Sequence, residues 1–372
     1  MSVWVVVGGQ FGSEGKGKIS AIITVQEKID FCIRCGGPNS GHSFQKPNGE
    51  MILLRQLPTG FVRPEPRLLI PAGGLVDLDV LRSELETLRL GADRVGVDRN
   101  TMVITSEDRE QEHRLAMSER LSSTLCGVGS AVARRALRTQ DVDLAANAAT
   151  TSHPWLRPFL TDVSAETNSA VDSGKKVLVE GTQGSGLSLY HSSYYPKATS
   201  RDTNAAGFIS EVGLSPRLVS EVLLVFRTFP IRVAGAQAGP IHDEITWERL
   251  QAESHSPVPL HEYTSVTHKL RRVGRFDWGA ARRAITLNRP TMLALNFIDY
   301  LSFENRGASD WTALSQDART FVHELEQLGP PVCHLGTGPH LADNVRLGPT
   351  RNRPDLTGAP PALALSPIEG RP

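Results

Sequence analysis

A short apolar run, Val3-Trp4-Val5-Val6-Val7, passes directly into Gly8-Gly9-Gln10-Phe11-Gly12-Ser13-Glu14-Gly15-Lys16-Gly17-Lys18. Apolar side chains at successive positions describe a strand buried on both faces, as in a parallel sheet covered by helices. Glycines after such a strand let backbone N–H groups close around a bound anion. Lys16 adds a point charge for phosphate, and Ile19 to Val25 reads as a helix whose N-terminus points at that anion. The loop is not a Walker A motif, because Gln10 stands where its first glycine belongs and Gly17 follows Lys16. Gln10, Ser13 and Glu14 are its polar residues, where chemistry would sit.

Further strand-like runs follow at Phe31–Arg34, Leu68–Ile70, Met102–Ile104, Lys176–Glu180, Val222–Phe226 and Met292–Asn296, with helical segments between them. This alternation predicts an α/β fold whose mostly parallel central sheet is flanked by helices, like that of P-loop NTPases, with peripheral helical subdomains. Residues 1–347 read as a single domain with a helical cap at about 105–175; within it, the Ala/Thr/Ser-rich stretch Thr139 to Ser173 reads as peripheral. Residues 348–372 read as a proline-rich, mobile tail without chemistry. Forty basic side chains balance forty acidic ones, which argues against a bulk nucleic-acid or membrane-surface binder. There is no long apolar span and no signal-peptide pattern, so a cytoplasmic location is expected. Cys32 and Cys35 have no second Cys or His pair at metal spacing and read as buried core thiols.

Five further segments carry candidate chemistry. Arg34-Cys35-Gly36-Gly37-Pro38-Asn39-Ser40-Gly41-His42-Ser43 surrounds one Asn and one His with small residues after the second strand. That is the carboxyl edge, where α/β sheets keep their sites. A histidine there is expected to titrate near neutrality and to donate a proton to an oxygen. Glu180-Gly181-Thr182-Gln183-Gly184 repeats the strand-then-glycine pattern, and the Gln183 amide suits a purine edge. Thr199-Ser200-Arg201-Asp202-Thr203-Asn204 is a hydroxyl-rich loop suited to phosphate. His268-Lys269-Leu270-Arg271-Arg272 is cationic but lacks the interleaved aromatics of a nucleic-acid surface, and fits a clamp for a carboxylate or phosphate. Asn296-Phe297-Ile298-Asp299 ends a strand in a carboxylate able to accept purine N–H groups.

Taken together, these segments resemble the adenylosuccinate synthetase family over most of residues 1 to 347, in the manner of its archaeal and viral branch. That family joins L-aspartate to the 6-position of IMP using GTP and Mg2+, through a 6-phosphoryl intermediate. By position, the resemblance implies donor-triphosphate contacts from Gly12, Glu14, Gly15, Lys16, Gly17, Gly41, His42 and Ser43, and donor-base contacts from Asn296, Asp299 and Gly336. Ser13 and Gly41 would ligate Mg2+, His42 would be the general acid at the 6-oxygen, and Gln183 would stabilise the same transition state. Asn39, Thr124, Gln183 and Thr199 would hold the monophosphate, and Thr267, Lys269 and Arg271 the aspartate. Arg138 falls where the family sends an arginine into the neighbouring active site, which implies a homodimer. No membrane or direct nucleic-acid partner is implied.

Three departures from the family's pattern change this expectation. Ser13 replaces the family's aspartate, the base at purine N1, and a serine hydroxyl is no base at pH 7. Asn296-Phe297 and His268-Lys269 replace Thr-Lys and Gly-Arg. Ser13 resembles the small residue at this place in a viral subgroup that aminates dGMP, giving 2-amino-2'-deoxy-N6-succinyladenylate for diaminopurine DNA. ATP or dATP is then the expected donor. Glu14 or a metal-bound water are the candidates for the base. An ordinary synthetase acting on IMP with GTP, and an inactive nucleotide-binding protein, are the alternative readings.

Overall fold

A computed structural model describes residues 3–45, 49–138, 143–264 and 268–348. Its centre is a ten-stranded sheet, ordered from one edge as Asn344–Arg346, Val332–Gly336, Met292–Asn296, Val219–Arg227, Val3–Gly8, Val177–Glu180, Phe31–Arg34, Arg67–Ile70, Val95–Asp98 and Leu160–Thr161. Every pairing is parallel except that of the edge strand Asn344–Arg346. Side-chain alternation splits the core into two layers. Val3, Val5, Val7, Val177, Val179, Leu224 and Phe226 pack on one face. Val6, Leu178, Leu223 and Val225 pack on the other, with Ile19, Ile22 and Ile23 of the helix Lys16–Gln26. Each such burial contributes roughly 1.5–3 kcal/mol relative to exposure.

Two expectations change here. Met102–Val103 is not a strand of the main sheet; it pairs with Leu75–Val76 in a separate two-stranded ladder. Leu160–Thr161 takes the edge position beside Val95–Asp98, while Met102 is buried in a small cluster with Leu75, Ile104, Cys126 and Val128. The helical stretch at 105–175 also divides. Helices Ser106–Arg114, Met117–Leu121 and Val128–Leu137 form a layer beside the cavity described below. By contrast, Ala145, Ala148, Ala149 and Leu156 enter one core layer and Val163 the other, so this part is not peripheral. Cys32 and Cys35 are fully buried free thiols, as expected. No described helix is long and apolar enough to cross a membrane. The tail from residue 349 and Thr267 lie outside the described residues.

Candidate active site

Five adjoining strands end on Asn296, Arg227, Gly8, Glu180 and Arg34, all at the carboxyl edge of the sheet. Above that edge opens a cavity of about 590 Å3. Asn39, Gly41, His42, Ser43, Thr124, Gln183, Thr199, Arg271, Asn296 and Asp299 line it, together with Gly12, Ser13, Gly15, Lys16 and Gly17 of the first loop. These residues are brought together from seven separate segments.

The first loop is organised from within by Glu14. Its fully buried carboxylate accepts from the N–H groups of Gln10 (3.1 Å) and Gly12 (2.8 Å) and from Lys16 Nζ (2.6 Å). Gly12 and Gly15 take the left-handed φ values of 89° and 88°, which favour glycine. Gly15 is also the N-cap of Lys16–Gln26. Glu14 is thus corrected as a candidate base. Its oxygens hold the loop's own donors, and it is not among the cavity-lining residues.

His42 lies beside the first turn of Lys16–Gln26, where a Cβ on Gly17 would come within 2.5 Å of its Cβ. Its Nδ1 meets Glu180 Oε1, which also accepts from Arg34 Nη1 (2.8 Å). Glu180 Oε2 accepts from the N–H (2.9 Å) and hydroxyl (2.6 Å) of Thr59. Burial pushes the Glu180 carboxyl up, but His42 and Arg34 outweigh it and hold it at about 2. The expectation that His42 titrates near neutrality is corrected: burial, reinforced by Arg34, lowers it to about 4 against the pull of Glu180. The resting imidazole is neutral at pH 7. A neutral ring that donates from Nδ1 to Glu180 leaves Nε2 as an acceptor.

Ser13 is strained at φ 58°, and its hydroxyl accepts a hydrogen bond from Arg271 Nη1 at 2.7 Å. Arg227 Nη1 donates to the Ser13 carbonyl at 3.0 Å. Two guanidinium groups therefore flank the residue expected to ligate Mg2+. Mg2+ takes carboxylate, hydroxyl, carbonyl, phosphate and water oxygens, but Ser13 Oγ already accepts from a guanidinium and Glu14 is consumed by the loop. No group of three or more His, Cys, Asp or Glu suited to a metal occurs among the described residues. With its hydroxyl held by Arg271, Ser13 does not fit the role of a magnesium ligand, whereas Gly41, the other expected ligand, lines the cavity.

Other residues divide by position. Gln183 Nε2 donates to Thr199 Oγ1 at 3.0 Å, while its buried Oε1 has no protein partner. Asn296 Nδ2 donates to the Glu14 carbonyl at 2.7 Å, and a Cβ on Gly336 would meet Asn296 Oδ1 at 2.0 Å. Gly336 thus supports Asn296 and does not itself line the cavity. Asp299 pairs with Arg306 at 3.0 Å, and burial raises its carboxyl to about 6 despite that cation. Lys269 and Arg138 are exposed and off the cavity, Arg138 as the C-cap of Val128–Leu137. Sequence reasoning missed Arg227, Glu262 and Arg232, and missed Glu180 as the group that orients His42. The available signal was that Arg227 and Glu180 end strands at the site edge.

An anion-binding loop, a carboxylate-oriented imidazole and a cationic hairpin above a parallel sheet define a nucleotide-using enzyme of the α/β class. The family model described as adenylosuccinate synthetase matches residues 5–145 and 136–306. The adenylosuccinate synthetase of Thermococcus sibiricus is 42% identical over 348 residues, covering 92% of this chain and 97% of that protein. That of Methanocaldococcus jannaschii is 40% identical over 355 residues, with 92% and 96% covered. The succinoaminodeoxyadenylate synthetase of cyanophage S-2L, solved with dGMP and dATP, superposes with a TM-score of 0.79 at 26% identity, covering 93% of this chain and 95% of that one. The fully ligated adenylosuccinate synthetase of Plasmodium falciparum shares the fold, with a TM-score of 0.83 at 20% identity over 94% and 100% of the two chains. The chain belongs to the adenylosuccinate synthetase family of carbon–nitrogen ligases.

Proposed function

We propose that this ligase joins L-aspartate to C6 of dGMP with ATP or dATP as phosphoryl donor, giving 2-amino-2'-deoxy-N6-succinyladenylate. The carrying observation is the neutral Ser13 whose hydroxyl accepts from Arg271. Guanine differs from hypoxanthine by an amino group on C2, beside N1. A hydroxyl is smaller than a carboxylate and, with one lone pair used by Arg271, offers the other to that amino group. In the first step the purine N1 gives up its proton to solvent, O6 attacks the donor γ-phosphorus and the nucleoside diphosphate leaves. The aspartate amine then bonds to C6 and releases a proton to solvent, the C6–O bond breaks and inorganic phosphate departs. Lys16 supplies charge to the donor phosphates, and His42, once protonated, donates to the 6-oxygen. The dGMP and dATP bound by the cyanophage S-2L enzyme support the same reading.

The test is purified protein with aspartate, magnesium and ATP or dATP, offered dGMP and IMP separately. Conversion of dGMP with IMP left largely untouched is the expected result. Turnover of IMP alone overturns it in favour of the second reading, ordinary adenylosuccinate synthesis with GTP, which the 42% identity to the Thermococcus sibiricus enzyme favours. No turnover of either points to an inactive nucleotide-binding protein. Ser13→Asp is expected to weaken dGMP use about tenfold or more. Unchanged dGMP kinetics would remove position 13 as the selector.

The same reading makes the protein a homodimer in which Arg138, exposed at its helix end, serves the neighbouring site. Mixing inactive Arg138→Ala and His42→Asn proteins should restore part of the activity, because one site per mixed dimer regains both side chains. Absence of recovery in a verified mixed dimer argues against the shared site.

A further inference from the structure

Arg227 is the largest fully buried side chain among the described residues. Its backbone is clipped to the first loop, with Gln10 Oε1 accepting from its N–H and Gln10 Nε2 donating to its carbonyl, each at 3.0 Å. Its guanidinium is used on both edge and face. Along the edge, Nη1 donates to the Ser13 carbonyl (3.0 Å) and to Glu262 Oε2 (3.2 Å), and Nη2 donates to Glu262 Oε1. On the face, its central carbon lies 3.8 Å from the ring centroid of Phe297, a half-buried residue that lines the cavity. Glu262 opens the cationic hairpin: its carbonyl accepts the Arg271 N–H at 2.8 Å, and Tyr263 bridges to Leu270. The far strand of that hairpin places Arg271 on the Ser13 hydroxyl.

One planar cation thus joins the aromatic residue on the donor side, the backbone of Ser13 and the base of the hairpin. We propose that Arg227 is a positioning residue linking purine occupancy over Phe297 to the seating of the Glu262–Arg271 hairpin, so that a purine donor strengthens binding of the amino-acid substrate. A purine laid on the ring holds Phe297 flat and thereby fixes the plane of the stacked guanidinium. A fixed plane holds the two-point fork to Glu262 in register, which a lysine cannot do. The assignment of the hairpin to aspartate and of Phe297 to the donor purine rests on the ligase reading above; the contacts of Arg227 do not.

Hydrogen exchange on the full chain tests the link without requiring turnover. ATP or GTP is expected to slow exchange of the amides at 262–264 and 268–271 by about fivefold or more, and inorganic tripolyphosphate is not. Arg227→Lys should abolish this purine-dependent protection while Gly12 and Gly15 stay protected by all three ligands. In steady state, Arg227→Lys should raise the aspartate KM about tenfold more than the donor KM. Phe297→Leu keeps the Arg227 fork and should also lose the purine effect, so it decides the matter if Arg227→Lys does not fold. Purine-dependent protection that survives in a folded variant overturns the proposal, as does a uniform rise of every KM. Absence of turnover in the unaltered enzyme sinks only the ligase reading, and the exchange result still decides the link.

Discussion

His42 rests neutral, and the acid role proposed for it requires that it gain a proton. Its depressed value, about 4, follows from burial and Arg34. Triphosphate oxygens brought beside it favour the charged ring and so raise that value. Donor binding between about pH 5 and 7 should therefore take up a proton, read as a dependence of binding enthalpy on buffer ionisation heat. His42→Asn should lose that uptake and lower turnover by about 10²–10⁴ while nucleotide affinity changes little. Binding without proton uptake in the unaltered enzyme would remove the acid role from this ring. Left-handed backbone at Ser13 (φ 58°), Gln183 (φ 53°) and Phe297 (φ 63°) costs about 1–3 kcal/mol per residue and occurs here at cavity-lining positions. None of the three shows this conformation by residue type.

Between elements, two close approaches decide where the chemistry stands. Gly17 admits the His42 side chain against the helix Lys16–Gln26, so Gly17→Ala should displace the ring and reduce turnover about tenfold or more. Retained turnover would show that the helix can shift to accommodate a methyl group. Glu180 joins its own strand to Arg34, His42 and Thr59. Glu180→Gln should cost about 3–5 kcal/mol in a denaturation midpoint series, the scale for breaking a buried ion pair. The strands that bear these residues were legible because a parallel sheet buried on both faces demands continuous apolar runs. Val95–Asp98 and Val332–Gly336 escaped because glycine or histidine interrupts them, and Met102–Val103 misled because a buried apolar run does not say which ladder it joins.

Across the whole molecule, buried titrating groups oppose one another. His42 and His334 are each lowered to about 4 by burial, so the unfolded chain binds more protons than the folded one between about pH 4 and 6.5. Stability from these two falls as pH falls through that window. Burial raises Glu211 to about 7 and Asp299 to about 6, so the folded chain holds their protons and stability from these two falls as pH rises. The two pairs oppose one another in this range. His334→Asn should remove one contribution that rises with pH, so its stability should fall more steeply with rising pH than that of the unaltered protein. A tilt in the other direction would contradict the assignment.

The sequence alone determined the layered α/β sheet, the anion-binding loop and the family, because apolar runs, glycine spacing and motif order are local properties of the chain. It also marked Ser13 as a departure from the family's aspartate. Tertiary structure decided what each polar group does. Glu14 became the loop's internal fastener, His42 became a neutral ring held by Glu180, and Ser13 came under two arginines from distant segments. Charge state and hydrogen-bond partner depend on burial and on neighbours hundreds of residues away in the chain. No local pattern encodes them.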